Sequence, residues 1–126
     1  MKRLVVAIAI LVISVGIGAA SLICIKRCCN EAIDGLDGIL QSIVTENKEE
    51  VNRLAVQVNE QWNEEKFLMN ILIGQGQTNE IKKELEIILY YAQIQDYQSV
   101  VLFSEECKGD LKNIIVSNEP NLSTIL

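Results

Sequence analysis

The most reactive side chains in this 126-residue chain are four cysteines, Cys24, Cys28, Cys29 and Cys107, and there is no histidine. A zinc site draws Cys or His ligands from two paired spacings, and one distal Cys without any His cannot complete such a set. Cys28-Cys29 offers two other chemistries, acylation on a cytoplasmic face or a cross-link between chains on an oxidising one, against the plainer reading of unmodified thiols. Cys107 falls at a core-like helical position and reads as a small buried hydrophobe.

Carboxylates are the remaining candidates. General acid–base work near neutral pH draws most often on His, and the adjacent pairs Glu49-Glu50, Glu64-Glu65 and Glu105-Glu106 have the pattern of solvated charge on helix faces. Asp34 and Asp37, in the string D-G-L-D-G, fall short of an EF-hand because Leu36 stands where an oxygen ligand is needed. Ser99 and Ser104 have no base in a recognisable motif. Gly74-x-Gly76 follows a helical pattern rather than a strand, so it reads as a helix stop and not as a phosphate loop. The expectation is a protein with no catalytic residue, no cofactor and no metal site, and not an enzyme.

The elements that carry these residues begin with an uncharged run, Leu4 to Ile25, in which 13 of 22 residues are Leu, Ile or Val. At about 1.5 Å rise per residue it makes a helix of about 33 Å, enough to cross a bilayer's hydrocarbon core. Lys2 and Arg3 precede it and Lys26 and Arg27 follow it. With the α-amino group counted, three positive charges stand against two, which favours a cytoplasmic N-terminus and an extracytoplasmic C-terminal domain. Within the run, Ser14 and Gly18, and Gly16 and Ala20, are small residues spaced by four, a hint of span packing and of a homo-oligomer.

A cleaved secretory signal is the rival reading, with Gly18-x-Ala20 before a cut at Ser21. Against it, Leu22, Ile23, Cys24 and Ile25 continue the apolar run past the cut. A lipoprotein signal fits less well, since the bulky Ile23 precedes Cys24.

Beyond Arg27 there are 7 Lys/Arg against 17 Asp/Glu, a balance that repels nucleic acid. The apolar positions there recur at helical spacing: Ile33, Leu36, Leu40, Ile43; then Val51, Leu54, Val58, Trp62; then Ile81, Leu85, Ile88, Leu89, Ala92; then Val100, Phe103, Cys107, Leu111, Ile114. Asn47 with Glu50, and Asp96, read as helix N-caps, and Gly74-Gln75-Gly76 as a stop. A shift of 49 residues superposes Leu36 on Leu85, Asn47 on Asp96, Val51 on Val100 and Trp62 on Leu111, the pattern of an internal duplication. The expected fold is all-α, one transmembrane helix followed by an acidic bundle of about four helices arranged as two αα-hairpins. The expected divisions are a basic tail (1–3), a span (4–25), a neck loosened by Gly35 and Gly38 (26–38), the helical-hairpin domain (39–117) and a C-terminal tail (118–126).

The Lys-Arg start, the single span, the acidic helical domain with a central Trp62, the Asn79-Glu80-Ile81 helix entry and the ending Asn121-Leu122-Ser123-Thr124-Ile125-Leu126 together resemble the domain of unknown function 4363 family, membrane-anchored proteins of spore-forming Firmicutes. The resemblance implies a bacterial cell membrane and an envelope or sporulation setting, and brings no activity, substrate or catalytic residue. One departure is Gln75-Gly76, where that family often has His-Glu.

The expected function is a membrane-tethered interaction module of the cell envelope. Its partners would be the lipid bilayer and another envelope or membrane protein, docked near Trp62, Phe67, Tyr90, Tyr91 and Tyr97, since Trp and Tyr are favoured anchors in such contacts. Burial in the bundle's own core is the competing reading for Trp62 and the three tyrosines.

Overall fold

Four helices follow one another through connections of one to three residues: α1 (Lys2–Val44), α2 (Lys48–Ile73), α3 (Gln75–Gln93) and α4 (Tyr97–Asn118). The structure, a computed structural model, describes residues 1–118, among which there is no strand. The ending Asn121–Leu126 lies outside the described residues. Helix α1 packs on α2 and α4, and α3 packs on α2 and α4, so the four close into an up-down bundle around one core.

Two turns share one geometry. At the α1–α2 turn, Glu46 takes a left-handed φ of 59°, and Asn47 accepts a hydrogen bond from the Glu50 N–H at 3.2 Å. At the α3–α4 turn, 49 residues on, Gln95 has φ 62° and Asp96 accepts from the Ser99 N–H at 3.3 Å. Even the closing bonds agree: the Asn47 N–H reaches the Ser42 carbonyl and the Asp96 N–H the Tyr91 carbonyl, both at 2.9 Å. The duplicated pattern in the sequence thus has matching turns in the structure. Between the hairpins, Gly74 alone joins α2 to α3 at φ 94°, ψ 150°, a conformation essentially confined to glycine. Helix α3 consequently starts at Gln75, a turn earlier than the sequence pattern indicated.

The core follows most of the periodic positions, while Leu54, Leu89 and Phe103, also expected there, are half-buried and pack against its edge. Leu36, Val51, Val58, Trp62, Ile81, Leu85, Ile88, Val100, Cys107 and Leu111 are buried. Leu40, expected to face inward, is half-buried, and Ile39 occupies the core position beside it. The same pattern recurs in α3, where Ile88 is buried and Leu89 half-buried, and α1 continues through residues 26–38 without a break.

The expected neck is therefore part of the bundle. Ile25, Cys28, Cys29, Ala32 and Ile33 belong to the core. Gly35 and Gly38 do not loosen the helix; they let α2 come close. A Cβ at Gly35 would lie 3.1 Å from Val58 Cγ2, and one at Gly38 would lie 3.1 Å from Leu54 Cδ1. The close approach offsets the roughly 1 kcal/mol by which each glycine weakens a helix.

The first part of α1 is different. Residues 1–20 are exposed throughout, so an apolar helix long enough to cross a membrane leaves the bundle without a protein neighbour.

Candidate functional site

The aromatic residues expected to form one docking surface are separated by the fold. Trp62 is 2% exposed and donates its indole N–H to the Thr78 carbonyl at 3.1 Å, tying α2 to the first turn of α3. It belongs to the core, because the helical phase that buries Val51 and Val58 also buries the position four residues further on. A neighbouring buried polar group does similar work: the Asn59 amide donates to the Ala55 and Leu85 carbonyls, both at 2.9 Å. Phe67 is 79% exposed, near the α2 C-terminus.

The tyrosines lie at the opposite end of the bundle. Tyr91 stacks on Phe103 of α4, with ring centroids 5.5 Å apart and planes 7° apart, and Tyr90 meets Tyr91 edge-on at 5.4 Å. These rings, with Ile87, Lys83 and Glu86, line an open depression of about 400 Å³ on the α3–α4 face. Exposed Ile94 and Leu102 extend the apolar character of these two helices. Tyr97 is not part of this surface. It lines a separate depression of about 280 Å³ with Ser42, Ile43, Asn47 and Val51.

The four small residues of the apolar segment, Ser14, Gly16, Gly18 and Ala20, are all exposed. The Ser14 hydroxyl donates to the Ile10 carbonyl at 2.8 Å, and a Cβ at Gly16 or Gly18 would meet nothing within 4 Å. Both faces are open to another helix.

The cysteines beyond that segment are sealed in. Burial, and then the carboxylate of Glu65, push the Cys28 thiol up to about 12; the same two causes push Cys29 up to about 11. Both residues are at most 1% exposed, so acylation or cross-linking between chains would require the bundle to open. Cys107 is fully buried, and burial followed by Glu84 pushes its thiol up as well.

One cluster has no counterpart among the residues picked out by sequence. Glu80 and Glu84 on α3 meet Asp110 on α4, each offering a carboxylate oxygen within 4.8 Å of the others. Burial, and then the hydrogen-bonded Asp110, push Glu84 up to about 8, whereas its contact with Cys107 works the other way. The arrangement can share a proton across the like charges, or offer oxygen ligands of the kind a hard divalent cation takes. Glu80 and Glu84 share a helix face by their spacing of four. Their meeting with Asp110 depends on how α3 and α4 pair, which no local pattern encodes. Helices α1 and α4 are joined by Lys108 Nζ and Asp37 Oδ1 at 2.5 Å.

Compared with protein-family models, curated proteins and solved structures, the chain matches none.

Proposed function

We propose that this chain is a single-pass membrane tether that holds a helical protein-interaction module on the outer side of a bacterial cell membrane, with a cytoplasmic N-terminus and no catalytic activity of its own. The observation that carries this reading is α1 itself. One continuous helix supplies a wall of the bundle from Ile25 onward and, before Ser21, an apolar rod with no protein around it. Such a surface is stable in lipid and not in water.

The module's docking face, on this reading, is the α3–α4 surface of Tyr90, Tyr91, Phe103 and Leu102, at the end of the bundle away from the apolar rod. Trp62 has no part in it. Capture of the full chain from mild-detergent membrane extracts, followed by mass spectrometry, tests this. A partner retained by the wild type and lost with Tyr90→Asp supports the reading, and an identical set of partners for the two contradicts it.

Two further readings each have an observation in favour. The open faces at Gly16 and Gly18 favour a small homo-oligomer, which cross-linking in membranes would report as multiples of this chain alone. The onset of bundle contacts at Ser21, just after Gly18-x-Ala20, favours a cleaved signal and a secreted bundle. Retention is supported by Ile23, Phe67 and Ile71, which cleavage would leave in water; the mass of the membrane-fraction protein distinguishes the two.

A further inference from the structure

The register of α1 against α2 places the end of α2 beside the apolar segment. Gly38 faces Leu54, Gly35 faces Val58, and Cys28 lies beside the Glu65 carboxylate that raises its pKa. Each step down α1 is matched by a step along α2, so Lys26 is level with residues 66–67 and Leu22 with residues 70–71. The last two turns of α2 are therefore alongside the C-terminal end of the apolar run.

Those two turns are unlike the rest of the bundle surface. Phe67 and Ile71 are 79% and 66% exposed, Leu68 is exposed beside them, and Ile23 of α1 is exposed at the same level. No charged residue occurs from Phe67 to Asn79, across the whole α2–α3 corner. Charge resumes on either side with a change of sign: Lys66, Lys26 and Arg27 form a basic level at the boundary, and Glu65, Glu31 and Glu80 lie beyond it. Apolar side chains, then lysines and arginine, then acid is the order expected on passing from acyl chains through anionic headgroups into water.

We propose that the α2–α3 corner is a second membrane contact, with Phe67, Leu68 and Ile71 seated in the lipid interface beside the span. The inference rests on the reading of α1 as a span, and it fixes where that span ends. With the corner in the interface, Leu4 to Leu22 remain for the hydrocarbon, about 28 Å of helix against a core of about 30 Å. The consequence is mechanical. Two adjacent helices enter the interface together, so the bundle stands upright and presents its Tyr90 face about 20 Å above it, the rise of α1 from Ile25 to Gly38, which is level with Tyr90 through Leu54.

Photocrosslinking of the full chain in phospholipid vesicles tests the proposal. A benzophenone amino acid is placed in separate variants at Phe67, at Ile71, at Ile10 within the span, and at Leu102, which is exposed on α4. Lipid adducts at 67 and 71 within about threefold of the yield at 10, and at least about tenfold above that at 102, are expected from interfacial insertion. Adducts at 10 without adducts at 67 and 71 overturn the second contact and leave the span standing. Adducts from 67 or 71 to another copy of the chain, in place of lipid, also overturn it. No lipid adduct at 10 overturns the span reading and this inference with it.

Discussion

The indole N–H of Trp62 and the carbonyl of Thr78, 3.1 Å apart, fasten α2 to the start of α3 across the single-residue Gly74 connection. The one tryptophan of the chain is thus a structural tie inside the bundle. Trp62→Ala should cost about 3–5 kcal/mol, as expected for emptying a large core site. Phe67→Ala, at an exposed position, should change stability by no more than about 0.5 kcal/mol. Thermal unfolding of the full chain in detergent micelles, followed by circular dichroism, separates the two.

Two glycines that flank Gln75 should respond with opposite signs. Gly74 holds a φ of 94° that an L side chain resists, so Gly74→Ala should destabilise by about 1–3 kcal/mol. Gly76 lies within α3 with nothing within 4 Å of a Cβ, so Gly76→Ala should stabilise by about 0.5–1 kcal/mol. Equal effects in the same unfolding measurement would contradict the helix boundary at Gln75.

The phase of α1 is testable at neighbouring leucines. Leu36 is fully buried, and Leu36→Ala should cost about 2–5 kcal/mol. Leu40 is half-buried outside the core, and its truncation should cost clearly less. The reverse order would restore the Leu40 phase and detach residues 26–38 from the bundle.

Glu84 gives the bundle a pH dependence of defined sign. Its carboxyl is raised from an ordinary 4.5 to about 8, so the folded chain keeps a proton that the unfolded chain releases. The stability held in that proton is complete below about pH 4.5 and is lost as the pH rises through about 8. The unfolding midpoint of the wild type should fall between pH 6 and pH 9, and Glu84→Gln should flatten that fall. An unchanged pH profile in the variant would contradict the raised carboxyl.

Much of the architecture was legible because it is periodic or local. The caps Asn47 and Asp96 and the stop at Gly74 are decided by residues a few positions away, and most of the core positions of α2 to α4 follow from spacing, with Leu54, Leu89 and Phe103 at the edge. The neck was misread for a physical reason. Gly35 and Gly38 weaken an isolated helix, but here they admit Val58 and Leu54, and only the tertiary pairing determines which effect wins. The same limit applies to the aromatic residues. Trp62, Phe67 and Tyr90 look alike as anchors in sequence, yet one is in the core and the other two lie at opposite ends of the bundle. The Glu84–Asp110 meeting belongs to this class too, since it joins helices through side chains 26 positions apart.

The central claim is that α1 crosses the membrane and holds the bundle outside. Cys28, Cys29 and Cys107 are buried and only Cys24 is half-buried, so the claim can be tested in a Cys24→Ser background by introducing Glu105→Cys at an exposed site on α4. A membrane-impermeant maleimide applied to intact spheroplasts should label this variant at least about tenfold above the Cys24→Ser chain alone, because the remaining buried thiols of raised pKa react slowly. Labelling that appears only after the membrane is broken would place the bundle on the cytoplasmic side and contradict the account.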